Sequence, residues 1–232
     1  MIAATTVLAY LIGGLPFGYW FVRLSSGEDI RTMGSGNIGA TNVYRAVGRK
    51  QGLIVLFFDI LKGYAAVWVT AMLTQGDETA MAVSAIAVML GHCYPIFLGF
   101  KGGKAVACFV GAFFYLAPLA LAITAVIFVA VVALSKYVSL GSIIGALLFP
   151  LIVWVTHAPA PILVASIAGA AVIVYRHKSN IARLRTGKEN VFSLKRKRSA
   201  DATARRAGRR QLGDCTGHRV PIAIRLYPLM GA

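Results

Sequence analysis

Six apolar stretches, Ile2–Val22, Leu53–Leu73, Ala80–Phe100, Ala105–Leu134, Val138–Val155 and Pro161–Tyr175, set the terms on which this chain can fold. The first five are close to, or beyond, the roughly 20 residues that a helix needs to cross a bilayer core of about 30 Å, and the last is somewhat shorter. In hydrocarbon every backbone amide and carbonyl must find its partner inside the chain, and segments this long and apolar do so as α-helices. Apolar residues make up 58% of the 232, well above the roughly 45–50% of soluble domains. The expected fold class is all-α, a polytopic membrane protein. One transmembrane domain over residues 1–194 consumes nearly all the length, and residues 195–232 form a separate basic tail.

The number of spans turns on the fourth stretch. At 30 residues a single helix would extend about 45 Å, far more than a bilayer core, whereas a break near Pro118 yields two short helices. With the break there are seven transmembrane helices. All 24 Lys and Arg residues then fall on or near one side, and the other face keeps Asp77, Glu78 and the uncharged Thr156–Pro161 turn. Without it, Lys136 and everything from Arg176 onward move to the opposite face, against the cytoplasmic preference of positive residues. Seven spans are therefore expected, with the N-terminus outside and the C-terminus cytoplasmic. No basic residue precedes the first stretch, while Arg23 and Arg31 follow it, which suits a retained first span better than a cleaved signal.

Three polar blocks interrupt this apolar background: Gly34–Arg45, Gly91–Lys104 and Arg176–Glu189. Beside membrane helices such groups lose solvation and add no core, so folding alone does not account for them. The seven-span topology puts all three at the cytoplasmic surface. In the first block Gly34, Gly36 and Gly39 permit tight backbone turns, Ser35, Asn37, Thr41 and Asn42 supply neutral donors, and Arg45 adds a planar cation. That mixture suits a phosphate. In the second, Lys101-Gly102-Gly103-Lys104 stands just before the Ala105 helix, so that free amides and the positive helix end would face an anion. The spacing is not that of a nucleotide P-loop, so no nucleotide is implied. In the third, His177 and Asn180 share a helix face, and Arg176 and Arg183 flank the same helix end, so that one imidazole, one amide and two cations can meet a single substrate.

Other polar residues admit plainer readings. His92 suits a packed, hydrogen-bonded histidine as well as a catalytic one. Cys93 has no histidine and acid at nucleophile spacing and is read as a buried free thiol. Asp59 and Lys62, three apart in an apolar helix, look like an ion pair. Ser139 and Ser142 follow Lys136 at the start of a helix, where a hydroxyl can cap the helix or reach a ligand. Glu189 pairs with an arginine rather than acting as a base. Gly13, Gly14 and Gly18 allow close helix contact. Metal-ligand clustering is absent from the sequence, and magnesium dependence is not expected. In the tail, ten basic residues against Asp201 and Asp214 leave a net charge of +8, half of the chain's +16. It suits a disordered segment held on anionic lipid headgroups, and without interleaved aromatics it gives no support to nucleic-acid binding.

The three blocks in this order resemble the acyl-phosphate:glycerol-3-phosphate acyltransferase family of bacterial membranes. The resemblance rests on Ser35-Gly-Asn-Ile-Gly-Ala-Thr-Asn42 with Arg45, on Gly91-His92 and Lys101-Gly-Gly-Lys104, and on Arg176-His177…Asn180-Ile181…Arg183-Leu184…Gly187…Glu189. It covers about residues 1–194. It implies a multi-pass enzyme of the bacterial inner (cell) membrane. The enzyme would move an acyl group from acyl phosphate to the sn-1 hydroxyl of glycerol 3-phosphate, giving lysophosphatidic acid without a cofactor. It also implies that Ser35, Arg45, Lys104, His177 and Asn180 are catalytic, and that Asn37, Ala40, Thr41, Gly102, Gly103 and Ser142 bind substrate. Two positions depart from the family pattern: Ala105 where glycine is common and Cys108 where threonine is common.

An acyl phosphate is already activated, so the protein has to place two anionic substrates together and stabilise an oxyanion. The proton of the glycerol hydroxyl could go to His177. The resemblance favours a substrate phosphate as the base, with His177 as a hydrogen-bond partner. Two rivals remain at this point: a carrier for an organic phosphate, whose site would lie nearer the membrane midplane, and the same reaction with coenzyme A or acyl carrier protein as donor.

Overall fold

The computed structural model describes residues 1–192. Every regular element in that range is helical: α1 (Ile2–Gly14), α2 (Phe17–Ser26), α3 (Ala40–Ala46), α4 (Arg49–Leu73), α5 (Glu78–Cys93), α6 (Val106–Leu116), α7 (Pro118–Ser135), α8 (Val138–Val155), α9 (Ala160–Arg176) and α10 (Lys178–Arg185), with 3-10 turns at Ile30–Thr32 and Ile96–Leu98. The all-α expectation stands. The basic tail lies outside the described residues.

Prolines explain where helices depart from the apolar runs. The fourth run breaks at Ala117, and Pro118 opens α7 at the first helical position, where its missing N–H is no loss. The first run, expected to be one helix, is interrupted at Leu15-Pro16 between α1 and α2. The third stops at Cys93 instead of running to Phe100, because Tyr94 precedes Pro95 and leaves the helical region. Among the described residues, five helical stretches have the length and hydropathy to cross a membrane, and α9 with α10 makes a sixth if that pair, bent by 56°, is one span. Helix α6 is apolar but only 11 residues long.

The centre of the bundle is α5. In its span 67% of the residues are buried, against 17% for α7, which lies at the periphery. Around α5 pack α1, α4, α6 and α9. Reciprocal glycines allow the closest approaches: a Cβ on Gly13 of α1 would strike the Val88 carbonyl of α5, and one on Gly91 of α5 would strike the Tyr10 carbonyl of α1. Gly63 of α4 and Gly111 of α6 repeat the arrangement against Cys108 and Ile60. Lipid supplies no hydrophobic drive between helices, so close backbone packing of this kind carries the association. An aromatic trio, Phe109, Phe113 and Phe149, with centroids 4.5–4.8 Å apart, fills the space between α6 and α8. Large apolar residues such as Leu119, Val126, Leu151, Trp154 and Val164 face outward, as a lipid-bathed surface requires.

The expected Asp59–Lys62 pair is present at 2.8 Å, and both residues are buried. Lys62 Nζ also donates to the Leu15 carbonyl at 2.8 Å. The interruption between α1 and α2 frees backbone carbonyls, and in a dry interior such a group needs a donor. Lys62 joins the Phe17 amide, 3.1 Å away, on that oxygen, and Asp59 balances its charge.

Gly91→Ala should weaken the α1–α5 contact and lower stability by about 1–3 kcal/mol. Gly14→Ala, whose added Cβ meets nothing closer than Phe97 at 3.5 Å, should be tolerated. Thermal unfolding of both purified variants in one detergent checks the pair.

Candidate active site

The first polar block folds around Asn42. This buried side chain donates from Nδ2 to the Met33 and Asn37 carbonyls at 3.0 and 2.8 Å and accepts from the Ser35 amide at 2.9 Å. It organises the loop and is not a free ligand donor as the sequence reading had it. Asn37 accepts from the Gly39 amide at 2.8 Å, just ahead of α3. Both side chains are thus engaged in shaping the turn. Ser35 and Arg45 remain exposed and border a hollow of about 430 Å³, together with Met33, Gly34, Asn42, Ala46 and Asn190. Ala40 and Thr41 do not line it.

The second block is a loop pinned at its glycines. The Gly102 and Gly103 amides donate to the Cys93 and His92 carbonyls at 3.1 and 2.9 Å. Their own carbonyls accept from Arg176, Nη2 to Gly102 and Nε to Gly103, at 3.0 Å each. This corrects two expectations. The glycine amides are not free for an anion, which leaves the first-turn amides of α6 as the available donors. Arg176 grips the loop backbone rather than a substrate. Gly103 lies against the His92 ring, where a Cβ would collide with Nε2. Ala105 is buried with φ at +62°, a left-handed conformation that favours glycine.

The third block joins the others through hydrogen bonds. Lys104 donates to Asn180 Oδ1. Asn180 Nδ2 donates to Glu189 Oε1 at 2.8 Å, Ser139 Oγ donates to the same oxygen at 3.1 Å, and Arg183 Nε donates to Glu189 Oε2 at 2.7 Å. A carboxylate only accepts. It therefore holds the NH₂ end of Asn180 and turns the amide oxygen toward the Lys104 ammonium. One residue further on, the Asn190 carbonyl accepts from Arg45 Nη2 at 3.3 Å. The expected Glu189–arginine pairing is present. Ser139 rather than Ser142 reaches this network, because the Ser142 hydroxyl donates to the Val138 carbonyl of its own helix at 3.0 Å.

His177 sits buried at the bend between α9 and α10. Its Nδ1 lies 2.8 Å from the Ile173 carbonyl. A carbonyl cannot donate, so Nδ1 carries the proton and Nε2 in the neutral ring is an acceptor. Burial lowers the pKa of Lys104 to about 8, with Arg183, Arg45 and Arg176 adding to the effect and Glu189 opposing it. For Glu189, burial alone would raise the pKa, but hydrogen bonds from Asn180 and Arg183 outweigh it and leave the group below its ordinary value.

Deeper in the bundle, donor atoms of Asp59, His92 and Cys108 lie within 4.8 Å of one another, a grouping the sequence did not suggest. Lys62 already holds the Asp59 oxygen at 2.8 Å, so a cation would have to displace an ammonium. Cys93 is buried in α5, as expected for a structural thiol.

Residues 3–187 match the family model described as glycerol-3-phosphate acyltransferase. The chain belongs to the glycerol-3-phosphate acyltransferase family. Among curated members, the Syntrophomonas wolfei glycerol-3-phosphate acyltransferase is 44% identical over 187 residues, covering 81% of this chain and 95% of the relative. The Aquifex aeolicus protein is 39% identical over 186 residues, covering 80% and 96%. The crystal structure of PlsY, an integral membrane glycerol 3-phosphate acyltransferase, in its glycerol 3-phosphate form superposes with a TM-score of 0.79 at 38% identity. It covers 83% of this chain and 96% of that one. The family resemblance drawn from the three blocks is therefore borne out, and the chain is a membrane acyltransferase rather than a carrier.

Protonated Lys104 predominates below about pH 8, so kcat/KM should fall as pH rises through that value if its charge is needed. Lys104→Arg, if active, should lack this alkaline limb, because guanidinium stays charged. Pre-steady-state or initial-rate profiles from neutral to alkaline pH check it. Ala105→Gly should raise thermal stability by about 1 kcal/mol through relief of the left-handed backbone, measured by unfolding in detergent.

Proposed function

We propose that this enzyme transfers the acyl group of an acyl phosphate to the sn-1 hydroxyl of glycerol 3-phosphate, giving lysophosphatidic acid and inorganic phosphate. The observation that carries the reading is the Lys104–Asn180–Glu189 chain continued by Arg45 on Asn190, which gathers all three polar blocks at one end of the bundle. A related PlsY structure at 36% identity and a TM-score of 0.76 is a lysophosphatidic acid form, which supports the product.

Arg45, Lys104 and the first-turn amides of α6 offer positive charge to two phosphates. Ser35 borders the same hollow as Arg45. The glycerol hydroxyl attacks the acyl carbon, the bond from that carbon to the phosphate oxygen breaks, and the cations stabilise both the oxyanion and the departing phosphate. The hydroxyl proton passes to a substrate phosphate, whose second pKa near 6 suits it. His177 offers Nε2 as an acceptor that orients the glycerol. Asn180 holds Lys104, and Asn37, Ala40, Thr41, Gly102, Gly103 and Ser142 shape or flank the substrate site. No metal or cofactor takes part in this scheme.

The same network supports seven spans. Lys104 at the head of α6 and Ser139 near the head of α8 meet on Asn180 and Glu189, so α6 and α7 go out and return between them. With the N-terminus outside, the basic loops and the site lie on the cytoplasmic side of the bacterial inner membrane. There a lipid-borne donor and a soluble acceptor meet. The basic residues of the tail would attract anionic headgroups.

Arg45→Ala and Lys104→Ala should each lower turnover by about 100-fold or more while the protein stays folded, as removal of charge-stabilising groups does. Near-normal rates in both would remove the anion clamp. His177→Ala should lose activity that His177→Gln partly restores; a dead Gln variant would favour base catalysis. Acyl phosphate, acyl coenzyme A and acyl carrier protein should be compared as donors in one assay, and only the first should support lysolipid formation.

A further inference from the structure

We propose that Arg176 is a positioning residue that sets the Lys101–Lys104 loop for the glycerol phosphate substrate. It was read from the sequence as a cation meeting the substrate, but its guanidinium is taken up by the protein. Nε and Nη2 reach the Gly103 and Gly102 carbonyls at 3.0 Å each, and Cζ lies 5.0 Å from the centroid of the Tyr94 ring. Tyr94 is itself fixed, since its carbonyl accepts from the Tyr10 hydroxyl at 2.6 Å.

Two parallel donors on consecutive carbonyls fix the orientation of two peptide planes, which a single ammonium cannot do. The opposite edge of the Gly102–Gly103 plane is held by the His92 carbonyl, and the plane before it is held through the Gly102 amide by the Cys93 carbonyl. Lys104 is the next residue, so the peptide clamp determines where its ammonium and the head of α6 point. Arg176 also directly precedes His177. The clamp therefore ties the bend that carries the imidazole to the loop that carries the lysine, and the two approach a substrate as one unit.

The inference rests on the reading that this loop faces glycerol 3-phosphate, so Lys104→Ala is assayed in parallel. Arg176→Lys keeps the charge and loses the fork, while Arg176→Gln loses both. Both should raise KM for glycerol 3-phosphate by about tenfold or more, the scale of a lost charge-assisted hydrogen bond. KM for the acyl donor and the unfolding temperature should change little. A Lys variant near wild type with a damaged Gln variant would mean that charge alone matters, and would overturn the proposal. So would a loss of kcat and thermal stability in both with KM unchanged, which would mark a general structural part. If Lys104→Ala is disabled while both Arg176 variants bind normally, only the role of Arg176 falls. If Lys104→Ala is itself unaffected, the loop reading falls and the proposal with it.

Discussion

The buried carboxylate of Glu189 receives Asn180 and Ser139 on one oxygen and Arg183 on the other. Because it can only accept, it dictates which end of the Asn180 amide faces inward. The outward oxygen then has one kind of partner, a donor, and Lys104 supplies it. A negative charge thus locates a positive one, through an amide whose two ends are chemically distinct. The same carboxylate ties α10 to the head of α8, and the next residue offers its carbonyl to Arg45. Remove the acceptor, and nothing in this chain of hydrogen bonds retains a unique direction.

The bilayer imposes a related discipline on the rest of the fold. Where α1 gives way to α2, a freed carbonyl is met by Lys62, and Lys62 by Asp59. Where α5 ends before Pro95, the following loop folds back and pairs its glycine amides with the last carbonyls of that helix. Both of these interruptions are answered by a named donor or acceptor, as expected where no water can substitute. The glycine contacts between α1 and α5 and between α4 and α6 serve the same economy, bringing backbones close where lipid gives helices no hydrophobic reason to associate.

Much of this could be read before any coordinates. The run Val138–Val155 is a helix with those same ends, and the overlong fourth run breaks beside Pro118. Both follow from local rules: apolar length in one case, a missing amide in the other. The Asp59–Lys62 pair follows from helical spacing. The role of Ser139 did not follow. It and Ser142 are three residues apart and share a face, and only the position of Glu189 decides which hydroxyl leaves its own backbone. Arg176 and Asn42 were misread for a similar reason. Both are good ligand types in polar blocks, yet one is closed on glycine carbonyls and the other on its own loop.

The sequence by itself determined that the chain is helical, that it belongs in a membrane, and which three polar blocks hold its chemistry, because hydropathy, proline and residue type act locally. Only the tertiary structure decided which members of those blocks face one another and which are engaged in holding the rest. That choice depends on distances between segments roughly 50 to 150 residues apart, and on the direction in which each hydrogen bond can run. Composition carries neither.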